Sequence, residues 1–147
     1  MPRPLVKLAM VALVLSVASG LIVAGWAIFE GTRTSLEAER TNQAYLLVLD
    51  LVSVYVTRTG EWPKGWEALR STSPRRIRGA WRWPEDVALV QQRVVVDFAV
   101  RSEDVGLMTP DSFSAVRQTN PNYGPETDAV RHLIGECQKR GTASRPP

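Results

Sequence analysis

The chain has 147 residues, 44% of them hydrophobic, which is enough for one packed domain plus an appendage and too few for several domains. Its formal charge is +3, but Arg3 and Lys7 precede the first apolar stretch and the remainder carries 16 basic against 15 acidic side chains, so net charge gives no reason to expect nucleic acid or anionic lipid as a partner. The single cysteine, Cys137, excludes an intrachain disulfide and a four-cysteine zinc site.

"LAMVALVLSVASGLIVAGWAIF", residues 8–29, runs for 22 residues without a charge. As a helix rising about 1.5 Å per residue it would span a hydrocarbon core roughly 30 Å thick. It is longer than the roughly 7–15 residues of a signal-peptide apolar region, so it reads as an uncleaved transmembrane anchor. Trp26 falls near one end, where an amphipathic ring prefers the headgroup zone. Arg3 and Lys7 flank one side, and the acids Glu30, Glu37 and Glu39 outnumber the bases Arg33 and Arg40 on the other. The positive-inside bias then puts residues 1–7 in the cytoplasm and the rest beyond the cell (inner) membrane. Ala12, Ser16, Gly20 and Ala24 recur every fourth position as a stripe of small side chains, candidates for close packing against another helix.

After the anchor, Thr34 followed by Glu37 matches a capping box, and Gly31 could mark a break, so the helix either restarts here or never stops. Tyr45, Val48, Leu49, Val52 and Tyr55 keep the spacing of a buried helical stripe that Leu46, Leu47, Leu51 and Val54 widen, predicting a well-buried helix to about Thr57. "TRTGEWPKGWEALR" follows. Gly60 can take the left-handed conformation that ends a helix, Pro63 prevents its resumption, and residues 64–70 read as a short second helix. Trp62 and Trp66, large enough to bury roughly 150–250 Å² each, are expected to clamp the turn onto the long helix.

An apolar helix running into an amphipathic one, then "YVTRTGEWPKGWEAL", resembles the N-terminal half of type IV pilins and type II secretion pseudopilins. The resemblance covers residues 8–70 and implies a helical stalk packed on a small antiparallel sheet. "PRPLVKLAMVAL" lacks the Gly-Phe-like peptidase site and early glutamate of those families, so only architecture carries over and no functional residue does.

"RRIRGAWRWP" alternates Ile77, Trp81 and Trp83 with Arg76, Arg78 and Arg82, the pattern of a half-buried strand with an arginine face. Arg76, Arg78 and Arg82 are the anion-binding candidates; with the tryptophans turned inward they lack the stacking partners that nucleic acid would require, so nucleic acid is not the expected ligand. Residues 87–100 read as a strand with Val94, Val96, Phe98 and Val100 on one face, Ser102 as the cap of a short helix, and residues 112–116 as a third strand. A helix beginning near Pro125 places Val130, Leu133, Ile134 and Cys137 at core spacing and stops at Gly141, leaving a disordered tail over residues 141–147.

No glycine-rich phosphate loop, zinc-ligand pair or serine elbow occurs, and no catalytic residue, metal or cofactor is expected. His132 and Cys137 lie five residues apart, roughly 140° around a helix, and cannot face each other. Asp50 and Asp97 each interrupt an apolar run and must find donors or solvent. The expected fold is α+β: a transmembrane helix (8–29) continuing into a long helix packed on a small antiparallel sheet, with a C-terminal helix, in an extracytoplasmic domain of residues 30–140. The expected function is that of a non-catalytic, membrane-anchored interaction or assembly module that meets protein partners through the anchor or headpiece. The alternative is a headpiece binding an anionic ligand or nucleic acid through its arginine face.

Overall fold

A computed structural model describes residues 3–76, 81–119 and 127–143, with side chains described for all of these except 3–9, 11–15 and 141–143. The fold is α+β, mostly helical, with one two-stranded antiparallel sheet. The chain divides into two compact units, Met1–Glu37 and Ala38–Pro147.

Helix α1 covers Arg3–Thr59 without interruption. The capping-box expectation at Thr34 fails because its hydroxyl bonds back to the Glu30 carbonyl at 2.9 Å, as Thr32 does to Ile28 at 2.8 Å and Ser35 to Gly31 at 3.0 Å. Hydroxyls that satisfy carbonyls one turn back leave the helix no reason to restart. In the first unit the described apolar side chains are bare: Leu21, Ile22, Val23 and Ile28 are each 68–72% exposed. Among the described residues no helix is long and apolar enough to cross a membrane. The first part of the expected anchor, residues 8, 9 and 11–15, has its side chains outside the described set.

In the second unit the same helix changes character. From Ala44 to Leu49 every side chain is buried, and Leu51, Val52 and Val56 continue the core. The helix ends at Gly60, whose φ of 78° and N–H to the Val56 carbonyl at 2.8 Å form the left-handed cap foreseen from the sequence. Trp66–Arg70 forms α2, shorter than expected, and buries Leu69.

Of the expected strand through Trp81 and Trp83, the described residues 75, 76 and 81–84 are not in a strand. Residues 77–80 lie outside the described set, and residues 83–86 form a turn in which the Asp86 carboxylate accepts the Arg82 N–H at 2.8 Å. The Trp83–Pro84 bond is cis. The tryptophans are nonetheless inward: Trp81 is buried and donates to the Arg40 carbonyl at 3.1 Å, while half-buried Trp83 donates to Thr72 at 3.1 Å. Burial of the rings, with each indole N–H satisfied, thus needs no strand.

The predicted strand over residues 87–100 is three pieces. Val87–Gln91 is a one-turn helix, α3, entered from the turn by the Val90 N–H donating to the Asp86 carbonyl at 3.0 Å. Val94–Val96 is β1, with Val94 and Val96 buried and Val95 exposed, as alternation requires. Asp97 ends it: its carboxylate accepts the Ala99 N–H at 2.9 Å, a side-chain turn that bends the backbone out of the ladder. Ser102–Gly106 is α4, with Ser102 inside the helix and making no cap bond. The third strand falls later than expected, because Thr109 and Ser112 bond each other and hold a turn there. Strand β2 is Val116–Gln118, antiparallel to β1, with Val94 opposite Gln118 and Val96 opposite Val116.

Residues 120–126 lie outside the described set, and α5 covers Thr127–Ala143, passing the expected stop at Gly141. Residues 144–147, the rest of the expected tail, lie outside the described set. Val130, Leu133, Ile134 and Cys137 of α5 join Val94, Val96, Val116 and the α1 stripe in one core. Gly106 lets α4 approach α5 closely: a Cβ there would lie 3.3 Å from the Gln138 nitrogen, and the Gln138 side chain donates to the Gly106 carbonyl at 2.8 Å.

Candidate functional site

The polar residues of interest converge where α1, the segment after α2 and α5 come together. Asp50, half-buried on α1, accepts the backbone N–H groups of Arg75 and Arg76 on one carboxylate oxygen, at 2.7 and 3.2 Å. The carboxylate that interrupts the apolar run thus serves the main chain, fixing two consecutive arginines against the helix.

The Arg75 guanidinium continues the junction. One nitrogen lies 3.2 Å from His132 Nε2 on α5, and the other donates to Thr57 Oγ1 on α1 at 3.2 Å. A guanidinium has donors only, so in this hydrogen bond Arg75 donates and His132 Nε2 accepts. Thr57 Oγ1 lies 2.7 Å from the Ser53 carbonyl and 3.1 Å from Glu136 Oε2; its single proton serves one of them at a time. The hydrogen bond from Lys139 holds the Glu136 carboxyl below its ordinary range, burial works against this, and the Thr57 hydroxyl adds to the lowering. Arg140 donates to the Thr57 carbonyl, tying α5 again to the end of α1.

A hollow of about 320 Å³ opens beside this junction. Leu46, Leu49 and Ala129 give it apolar wall, and Asp50, Ser53, Arg75, Arg76, Asp128 and His132 give it polar wall. Ser53 is 3% exposed, and its hydroxyl has no hydrogen-bond partner among the described residues. A second hollow, of about 350 Å³, lies by Trp62 and Phe98. Its cations already face partners: Lys64 lies 3.7 Å from Glu61, Arg101 2.6 Å from Glu103, and Arg140 is bonded to Thr57.

Of the three arginines singled out in the sequence, Arg76 is exposed at the first hollow, Arg82 is exposed with its N–H on Asp86, and Arg78 lies outside the described residues. Among the described residues no strand carries Arg76 or Arg82. Among the small-residue candidates of α1, Ser16, Gly20 and Ala24 are exposed, Gly20 with nothing within 4 Å, and the side chain of Ala12 lies outside the described set. Cys137 is buried, and that burial, with Glu136 beside it, pushes its thiol up to about 11, so it is a protonated core residue at neutral pH. The contacts shown for Trp62 and Trp66 tie the turn to the segment after β1 and not to the long helix expected from the sequence: Trp62 is 5% exposed and donates to the Asp97 carbonyl at 2.8 Å, and Trp66 meets Phe98 edge-on with ring centres 5.7 Å apart.

Sequence reasoning missed Arg75 and the Asp50–Arg75–His132 junction. The partners lie 25 and 57 residues apart, and the only local signal is the charge of Asp50 within an apolar run. Among the described residues no group of three or more His, Cys, Asp or Glu could hold a metal ion. No protein-family model, no curated protein and no solved structure matches the chain.

Proposed function

We propose that the protein is a single-pass membrane protein whose C-terminal α+β unit is an extracytoplasmic, non-catalytic interaction module. The observation that carries this reading is the stretch of residues 8–29, 22 long and uncharged, on which Leu21, Ile22, Val23, Trp26, Ile28 and Phe29 are each at least 62% exposed. Single exposed apolar residues are ordinary, but six crowded onto two and a half turns of helix would have no favourable surroundings in water. Lipid supplies them, and a helix satisfies its own backbone there. Arg3 and Lys7 before the stretch favour a cytoplasmic N terminus. The order of a long helix, a short helix, a small antiparallel sheet and a further helix is in keeping with the pilin-like architecture proposed alongside it. Fibre assembly is not part of the proposal, because the peptidase site and early glutamate are missing.

Membrane fractionation with protease protection tests it. The full chain is expected in the pellet after alkaline carbonate extraction, with the C-terminal unit cut by protease added to the outer face of the sealed membrane. Recovery in the soluble fraction, or a C-terminal unit protected until the membrane is broken, would falsify the reading.

A further inference from the structure

We infer that the hollow beside Asp50 binds a small organic anion, a carboxylate on an apolar body. Subtracting the charges already matched inside the protein leaves the sign of the site. Asp128 is paired with Arg131 at 2.9 Å, and Asp50 is taken up by two backbone N–H groups. The Arg75 guanidinium meets the Thr57 hydroxyl and His132 Nε2, and no carboxylate among the described residues. The Arg76 guanidinium has no partner among the described residues, although its backbone is anchored by Asp50. With Asp128 paired, the wall carries two guanidinium groups against the one carboxylate of Asp50, an excess of one positive charge.

Two further features make this wall a site and not a charged surface. Ser53 lines the cavity and is 3% exposed, and its hydroxyl has no partner among the described residues, an uncompensated polar group that a ligand oxygen reaching it would satisfy. Leu46, Leu49 and Ala129 add apolar surface that inorganic phosphate would leave unused but the hydrocarbon part of a carboxylate would cover. The volume of about 320 Å³ lies at the small end of the roughly 300–1,000 Å³ of small-molecule pockets, which limits the ligand to a few carbons beyond its carboxylate. Asp50 then acts as a positioning residue, holding Arg76 where its forked donors meet both carboxylate oxygens. Ligand binding here does not depend on the membrane reading.

A carboxylate of this size could be a free acid or the end of a peptide. The full chain, in bilayer discs or in plain buffer if it is freely soluble, is titrated calorimetrically with hexanoate, with alanylvaline and with uncharged hexanamide, against blanks lacking protein. The expected result is saturable binding of at least one carboxylate and none of hexanamide, weakened roughly tenfold in Arg76→Gln, whose guanidinium holds nothing in the fold. Ser53→Ala should weaken it by about threefold at an unchanged melting temperature. Preference for hexanoate identifies a free acid, and preference for alanylvaline a peptide terminus. Absence of saturable carboxylate binding to the folded chain, equal binding of hexanamide, or binding untouched by Arg76→Gln overturns the inference.

Discussion

Glu136 links the last turns of α1 to α5 through Thr57, and its ionisation makes that link depend on pH. Its folded pKa is lowered, first by the Lys139 hydrogen bond, so the stabilisation is fully present above the unfolded value and is lost as the pH falls through the folded one. Glu136→Gln should therefore lower the melting temperature at pH 7 by more than it does near pH 3. Melts of both proteins at the two pH values measure this; an equal gap at both would mean that the carboxylate charge contributes nothing. Lys139, three residues on in the same helix, is a partner of Glu136 that sequence spacing reaches; Thr57, 79 residues away, is one that it does not. Asp97 shows the same limit: a charge within an apolar run announces a need for donors without saying that the donor is the backbone two residues on.

The helices were the legible elements and the strands were not, for reasons of length. The buried stripe of α1 repeats over several turns, and its end has a local chemical cause in Gly60, so both could be read from neighbours in the chain. Strands β1 and β2 are three residues each, too short for alternation to separate them from a helical turn; "VALVQQRVVV" accordingly divides into α3 and β1. What divides it is the set of bonds made by Asp86 and Asp97, which no periodicity encodes. The helix end yields a sharp prediction. A Cβ at Gly60 would meet nothing within 4 Å, so its substitution carries a conformational cost alone, set by the φ of 78°. Gly60→Ala should destabilise the fold by about 1–2 kcal/mol. Gly65→Ala, at an extended φ of 166° and with equally open space, should change stability by no more than about 0.5 kcal/mol. Urea unfolding of the two variants makes the comparison, and equal losses would remove the left-handed cap as the reason the helix stops.

At the scale of the whole molecule, the chain combines a unit whose described apolar side chains are exposed with one that buries an apolar core. The continuous core joins the buried stripe of α1 to β1, β2 and α5, and it uses no side chain before Ala44. The clamps at its margin, Trp81 on Arg40 and Arg93 on Thr41, lie no earlier than residue 40. The core and these clamps thus draw, among the described residues, on residue 40 onward. A chain begun at Thr34, keeping one turn of helix ahead of Ala38, should fold by itself in plain buffer and unfold in one cooperative transition, within the usual range of about 5–15 kcal/mol for a domain. The full chain should require detergent or lipid to remain monodisperse, because Leu21 through Phe29 would otherwise meet one another. Amide exchange compares the two directly. Matching protection across residues 44–56 and 130–137 would establish the second unit as self-sufficient, whereas lost protection in the shortened chain would mean that α1 needs its N-terminal half to fold. Solubility separates a further alternative: a full chain that stays monodisperse without lipid would show that its outward apolar residues are not a membrane anchor.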